Sequence, residues 1–123
     1  MTTLDPAARR WAALGAVLVG LGVALGAFGA HALEDVLREA RLATFETAVR
    51  YQTTQGLGLL LLALAPARVR IAAPLLAIGI VIFCGSLYLI VGLDIGAFGA
   101  IAPIGGIAMI GAWAVAAWRL LRP

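Results

Sequence analysis

IAAPLLAIGIVIFCGSLYLIVGL, residues Ile71–Leu93, runs for twenty-three positions without a formal charge. A helix rises about 1.5 Å per residue, so about 20 residues cross the roughly 30 Å hydrocarbon core of a bilayer. This stretch reads as a membrane span. Three more uncharged stretches flank it: Trp11–Leu33, Tyr51–Ala67 and Ile95–Trp118. The reading is an all-α, polytopic integral membrane protein. Its four-transmembrane-helix bundle forms one membrane domain over residues 1–123, with spans near residues 11–32, 44–65, 71–92 and 103–121.

Composition supports this. Apolar residues make up 63% of the chain and charged residues 12%, a balance that leaves a soluble fold of this size with too much exposed apolar surface. The net charge of +3 does not indicate nucleic acid. All nine basic residues are arginines, and most stand in short groups at the ends of apolar runs, not along a stripe that could follow phosphates. One cysteine, Cys84, and one histidine, His31, exclude an intrachain disulfide and a Cys/His zinc site. Phosphate-binding, dinucleotide and nucleophile-elbow motifs are absent. No catalytic residue, cofactor or metal is expected.

Working outward, Pro103 fits the first turn of the last span, where its missing N–H costs nothing. Asp94–Ala102 is then an external loop or a shallow re-entrant turn. The second span is the least apolar. Pro66 stops it, and only by starting at Thr44, read as an N-cap with Glu46 in the first turn, does it gain the length to cross. Before it, LEDVLREARLA (Leu33–Ala43) puts Leu33, Val36, Leu37 and Ala40 on one face, as in a short amphipathic interfacial helix. A solvated helical loop is the plainer alternative.

Arginine bias sets the orientation. Arg9, Arg10, Arg68, Arg70, Arg119 and Arg122 fall on one side of a four-span topology. Arg38, Arg41 and Arg50 fall on the other, among acidic residues. Both termini are expected in the cytoplasm, in the bacterial plasma (inner) membrane, with Trp11 and Trp118 as anchors. A cleavable signal peptide ending at Ala30-His31-Ala32 is the rival account of the first span. Its apolar run is too long for that role.

Small residues four apart, Gly22, Gly26 and Ala30 in the first span and Ala108, Ala112 and Ala116 in the fourth, permit close helix contact. Packing within the chain and homo-oligomerisation are the two readings. The pentapeptide GAFGA occurs twice, at Gly26–Ala30 and Gly96–Ala100, through chance, duplication or a shared structural role. Glu46 and Arg50 have the spacing and order of a helical ion pair. With His31, Tyr51, Gln52 and Gln55 they make a candidate polar pocket at the outer interface, expected between the first, second and fourth helices. Arg50 there would meet a carboxylate or a lipid phosphate. The alternative is that these groups satisfy one another and leave no cavity.

GAFGAHAL (Gly26–Leu33), FETAVRYQ (Phe45–Gln52), GSLYL (Gly85–Leu89) and PIGG (Pro103–Gly106) with Trp113 together resemble the domain-of-unknown-function 423 family, which includes the transmembrane protein 256 type. The resemblance covers Gly15 to Trp118. It implies a small multi-pass membrane protein and supplies no catalytic residue. Two positions depart from the family pattern. Gln55 stands where members usually carry histidine, and Ala102 where a threonine commonly precedes the PIGG proline. Glutamine does not titrate, which removes proton transfer at that position but keeps hydrogen bonding. The expected function is structural, assembly-related or lipid-interacting, with membrane lipids as partners. A small oligomeric transporter or channel is the alternative.

Overall fold

The computed structural model describes residues 3–123, and every regular element among them is helical. Helix α1 runs Pro6–Leu33. Asp5 caps it, accepting from the Ala8 N–H at 2.9 Å, and Pro6 stands at the start, where an N–H has no intrahelical partner. Helix α2 is Glu39–Leu64. A one-turn helix, Ala67–Arg70, leads into α3, Ala73–Leu93. A 3₁₀ turn, Gly96–Ala100, leads into α4, Ala102–Leu121, with Pro103 in its first turn.

Three of these segments are long and apolar enough to cross a membrane: Pro6–Leu33, Ala67–Leu93 and Gly96–Leu121. Helix α2 is long enough but carries Glu39, Arg41, Glu46 and Arg50.

The α1–α2 connection differs from the expectation. Leu33–Ala43 is not an amphipathic helix of its own. Leu33 closes α1, Glu34–Leu37 form a turn, and Glu39 already opens α2. The Val36 and Leu37 N–H groups bond back to the Leu33 carbonyl at 3.1 and 2.9 Å, winding up the end of α1. Arg38 then turns extended, with φ −60° and ψ 151°. Thr44 is therefore not an N-cap. Its hydroxyl donates to the Ala40 carbonyl at 3.0 Å, and Thr47 does the same to Ala43, the back-bonding open to a threonine inside a helix.

Neighbours in sequence are neighbours in space: α1 packs on α2, α2 on α3, and α3 on α4. The core lies among α2, α3 and α4, where Leu59, Leu76, Ile80, Met109 and Ala112 are buried together with Cys84. Helix α1 stands at the edge and meets α2 through glycine. A Cβ on Gly15 would lie 2.7 Å from both the Gly56 carbonyl oxygen and the Leu60 amide nitrogen. Only a residue without a side chain lets these backbones approach so closely. The α3–α4 crossing uses the same device at Gly79 and Gly105.

Ion pairs tie the connections at each end. At one end Arg70 pairs with Asp5, and Arg68 donates to the Arg122 carbonyl at 2.6 Å. At the other, Arg38 and Arg41 both reach the Asp94 carboxylate, at 2.9 and 2.7 Å. Asp94 closes α3 in the left-handed region, with φ 54°, a conformation that Asp tolerates better than most residues.

The two GAFGA copies wind differently. The first lies in a π-helical turn, Leu25–Gly29, inside α1. The second is the 3₁₀ turn before α4.

Candidate functional site

Polar residues within a helix crossing lipid must find partners inside the protein or a polar ligand, because hydrocarbon offers none. The run Arg50–Gln55 is the densest polar stretch of α2. Successive residues point about 100° apart around a helix, so this run distributes its groups among three directions.

Gln52 points inward and is buried. Its Nε2 donates to the Leu18 carbonyl of α1 at 3.0 Å, and its Oε1 accepts from the Tyr88 hydroxyl of α3 at 2.7 Å. One side chain thus joins three helices. The Tyr88 ring packs edge-on against Phe45, with centroids 6.1 Å apart. Thr53 returns its hydroxyl to the Val49 carbonyl at 2.8 Å. Among the described residues no buried side-chain nitrogen or oxygen is left without a partner.

Tyr51 and Gln55 face the other way, toward α3 and α4. The Tyr51 ring leans on Phe83 at 4.7 Å between centroids, and Gln55 Oε1 accepts from Trp113 Nε1 at 2.7 Å. Two adjoining hollows open here and share Tyr51 and Gln55 as walls. One, of about 180 Å³, is lined by Arg50, Tyr51, Thr54 and Gln55. The other, of about 210 Å³, continues past Phe83, Gly106, Met109, Ile110 and Trp113.

This differs from the expected pocket in its members and its walls. Arg50, Tyr51 and Gln55 come together. Gln52 is turned into the helix interface. His31, in the last turn of α1, and Glu46 are exposed and line neither hollow. The walls are α2, α3 and α4, because α1 packs on the opposite side of α2. Glu46 and Arg50 form no ion pair; the ion pairs among the described residues are Arg38–Asp94, Arg41–Asp94 and Arg70–Asp5.

Of the small residues, Gly22 is buried, and a Cβ there would meet Thr53. Gly26 faces Val49, and Ala30 is half-buried. Ala112 and Ala116 lie in the core, with Ala108 half-buried beside them.

Sequence reasoning missed three participants: Tyr88, Trp113 as a hydrogen-bond donor, and Asp94 as a double arginine acceptor. Asp94 had a legible signal, since no other acidic residue follows Glu46. At the ends of the bundle the carboxylates are tuned. Hydrogen bonds from Arg41 and then Arg38 hold the Asp94 carboxyl below its ordinary range. The Ala8 N–H and the Arg70 charge do the same for Asp5.

A family described as protein of unknown function (DUF423) matches residues 25–106. The chain belongs to the DUF423 family. The match begins at the π turn of α1 and ends in the first turns of α4, taking in Arg50–Gln55, Tyr88 and Asp94. Relatives of this DUF423 protein agree over most of their length. The UPF0382 membrane protein of Staphylococcus haemolyticus is 41% identical over 81% of this chain and 85% of its own. The UPF0382 membrane protein YwdK of Bacillus subtilis is 41% identical over 81% and 86%. The UPF0382 inner membrane protein YgdD of Escherichia coli is 37% identical over 81% and 82%. No solved structure matches. The DUF423 protein is a small helical membrane protein.

Proposed function

We propose that this DUF423 protein is a non-catalytic, four-pass protein of the bacterial inner membrane that acts by contact with lipid, as a structural or assembly component, with both termini cytoplasmic. The observation that carries the reading is how the polar groups are used. Gln52, Tyr88 and the Leu18 carbonyl satisfy one another across three helices, Thr53 bonds back to Val49 within α2, and none of these groups lines the two hollows beside them. A transport path would need such groups along a cavity leading through the protein.

Three further observations support the topology. Arginines at the two ends are divided unequally, and those at the Asp5 end sit where the positive-inside rule puts the cytoplasm. The Asp5–Arg70 and Arg68–Arg122 ties join chain positions that four passes bring to one side, and the Asp94 ties join positions brought to the other. The relative in Escherichia coli carries an inner-membrane name. Reporter fusions test the topology: fusions after Arg70 and Arg122 read cytoplasmic, and one at Asp94 reads external. The reverse pattern, or α2 failing to cross, overturns it.

A further inference from the structure

We propose that the double hollow on the α2–α3–α4 face is a binding site for one anionic phospholipid, its phosphate held by Arg50 and the start of an acyl chain laid past Phe83 and Ile110. The proposal rests on the four-pass reading above and names the lipid class it would hold.

Position comes first. Arg50 stands six residues inside the second span, counted from Thr44, about 9 Å along the helix axis. A cation at that depth is costly in hydrocarbon unless an anion accompanies it. Among the described residues no carboxylate pairs with it. Glu46, one turn earlier, does not form the bridge that its spacing allows, and Asp94 is taken by Arg38 and Arg41.

The chemistry of the walls comes second. The lobe beside Arg50 contains no carboxylate. Gln55 has committed its oxygen to Trp113, which leaves its amide hydrogens as donors, and the Thr54 hydroxyl has no protein partner among the described residues. A guanidinium, an amide and a hydroxyl together match phosphate oxygens. The adjoining lobe is different in kind, with Phe83, Met109 and Ile110 among its walls. A free phosphate has no use for that lobe. An amphiphile fills both, since Tyr51 and Gln55 border the two.

The test is native mass spectrometry of the full chain released from nanodiscs of phosphatidylethanolamine and phosphatidylglycerol, alongside its thermal unfolding in the same lipids. Wild-type protein should retain one phosphatidylglycerol. Arg50→Ala should lose it about tenfold more readily, with Arg50→Lys in between and Arg9→Ala, Arg10→Ala unchanged. Arg50→Gln serves if the alanine variant unfolds, because it keeps the side chain's bulk and removes the charge. Filling the apolar lobe with Gly106→Leu should also weaken retention while leaving Arg50 in place. Equal retention of both lipids by wild type, or phosphatidylglycerol retention indifferent to Arg50, overturns the site. Retention of inorganic phosphate in place of lipid overturns it too. A wrong topology shows in the reporter fusions, which do not depend on Arg50.

Discussion

The α1–α2 and α3–α4 hairpins both cross through glycine, yet they are held very differently. At the α3–α4 crossing, a Cβ on Gly105 would lie 2.4 Å from the Phe83 amide nitrogen and 2.8 Å from the Gly79 carbonyl oxygen. Large side chains then close around it, Ile80 from α3 and Met109 from α4. At the α1–α2 crossing the glycines set the approach, and α1 itself fully buries only Ala8, Gly15 and Gly22, with Trp11 and Leu18 partly buried against the core. In the most apolar window of each helix, 11% is buried for α1 and 39% for the Ala67–Leu93 segment. Comparable hydropathy therefore hides opposite roles. Helix α3 is a core element, whereas α1 is an edge helix whose Leu21, Val23 and Phe28 remain outside the protein.

The sharpest way to break that comparison is Gly105→Ala. Both atoms it would strike are backbone, so no rotamer change relieves the clash, and a loss of about 3 kcal/mol or more is expected. Unfolding in detergent should show the whole bundle failing together. Gly15→Ala strikes backbone too, but α1 can swing away from α2. The expected loss is about 1–3 kcal/mol, and a donor–acceptor pair on α1 and α2 should separate while a pair on α3 and α4 stays put. Simultaneous loss of both distances would contradict the edge-helix description.

Gln52→Leu sharpens the contrast from the polar side. It removes the bond to Leu18 of α1 and leaves the Tyr88 hydroxyl without its acceptor. Interhelical hydrogen bonds in membranes contribute about 0.6 kcal/mol on average and up to about 1.7, so the expected loss is of that order. Adding Tyr88→Phe should recover part of it, and full additivity in a double-mutant cycle would show the pair uncoupled. At Gly20 nothing lies within 4 Å of an added Cβ. Gly20→Ala should therefore stabilise α1, by roughly 0.5–1 kcal/mol from helix propensity alone.

The smallest effect belongs to the tie between the hairpins. Asp94→Asn should lower the melting temperature slightly near neutral pH. The folded carboxyl titrates below its ordinary value of 3.8 because Arg41 and Arg38 favour its charged form. Its contribution is thus complete above that value and is lost as the pH falls through the folded pKa. Wild type and Asp94→Asn should converge in strong acid, and a gap that persists there would show that the loss does not come from the carboxylate's charge.

Much of this was legible in the residues. Uncharged runs and the prolines at 66 and 103 locate helices, because length and a missing N–H act locally. The spread of Tyr51, Gln52 and Gln55 over several faces also announced that some would meet other helices. The start of α2 was not legible. Thr44 carries an N-cap signature, but its hydroxyl finds an acceptor one turn back in a helix already begun. Whether Arg50 pairs with Glu46 depends on rotamers that spacing alone does not choose. The walls of the groove depend on which side of α2 each neighbour takes, and the identical GAFGA segments show how little the local sequence determines. One is a π turn with Phe45 against Gly29, and the other a 3₁₀ turn beside Ile90.

The Asp94 tie also has a place in time. Its acceptor follows Arg38 by 56 residues and Arg41 by 53. At about 5–20 residues per second the ribosome needs on the order of 3–10 s to reach it. During that interval the first hairpin holds together through its glycine contacts and the Gln52–Leu18 hydrogen bond, and Arg38 and Arg41 have Glu34, Asp35 and Glu39 nearby in the chain. Synthesis therefore builds the weaker hairpin first and delivers its fastener last. A circularly permuted chain beginning with the second hairpin would present Asp94 before either arginine exists, reversing the order of assembly.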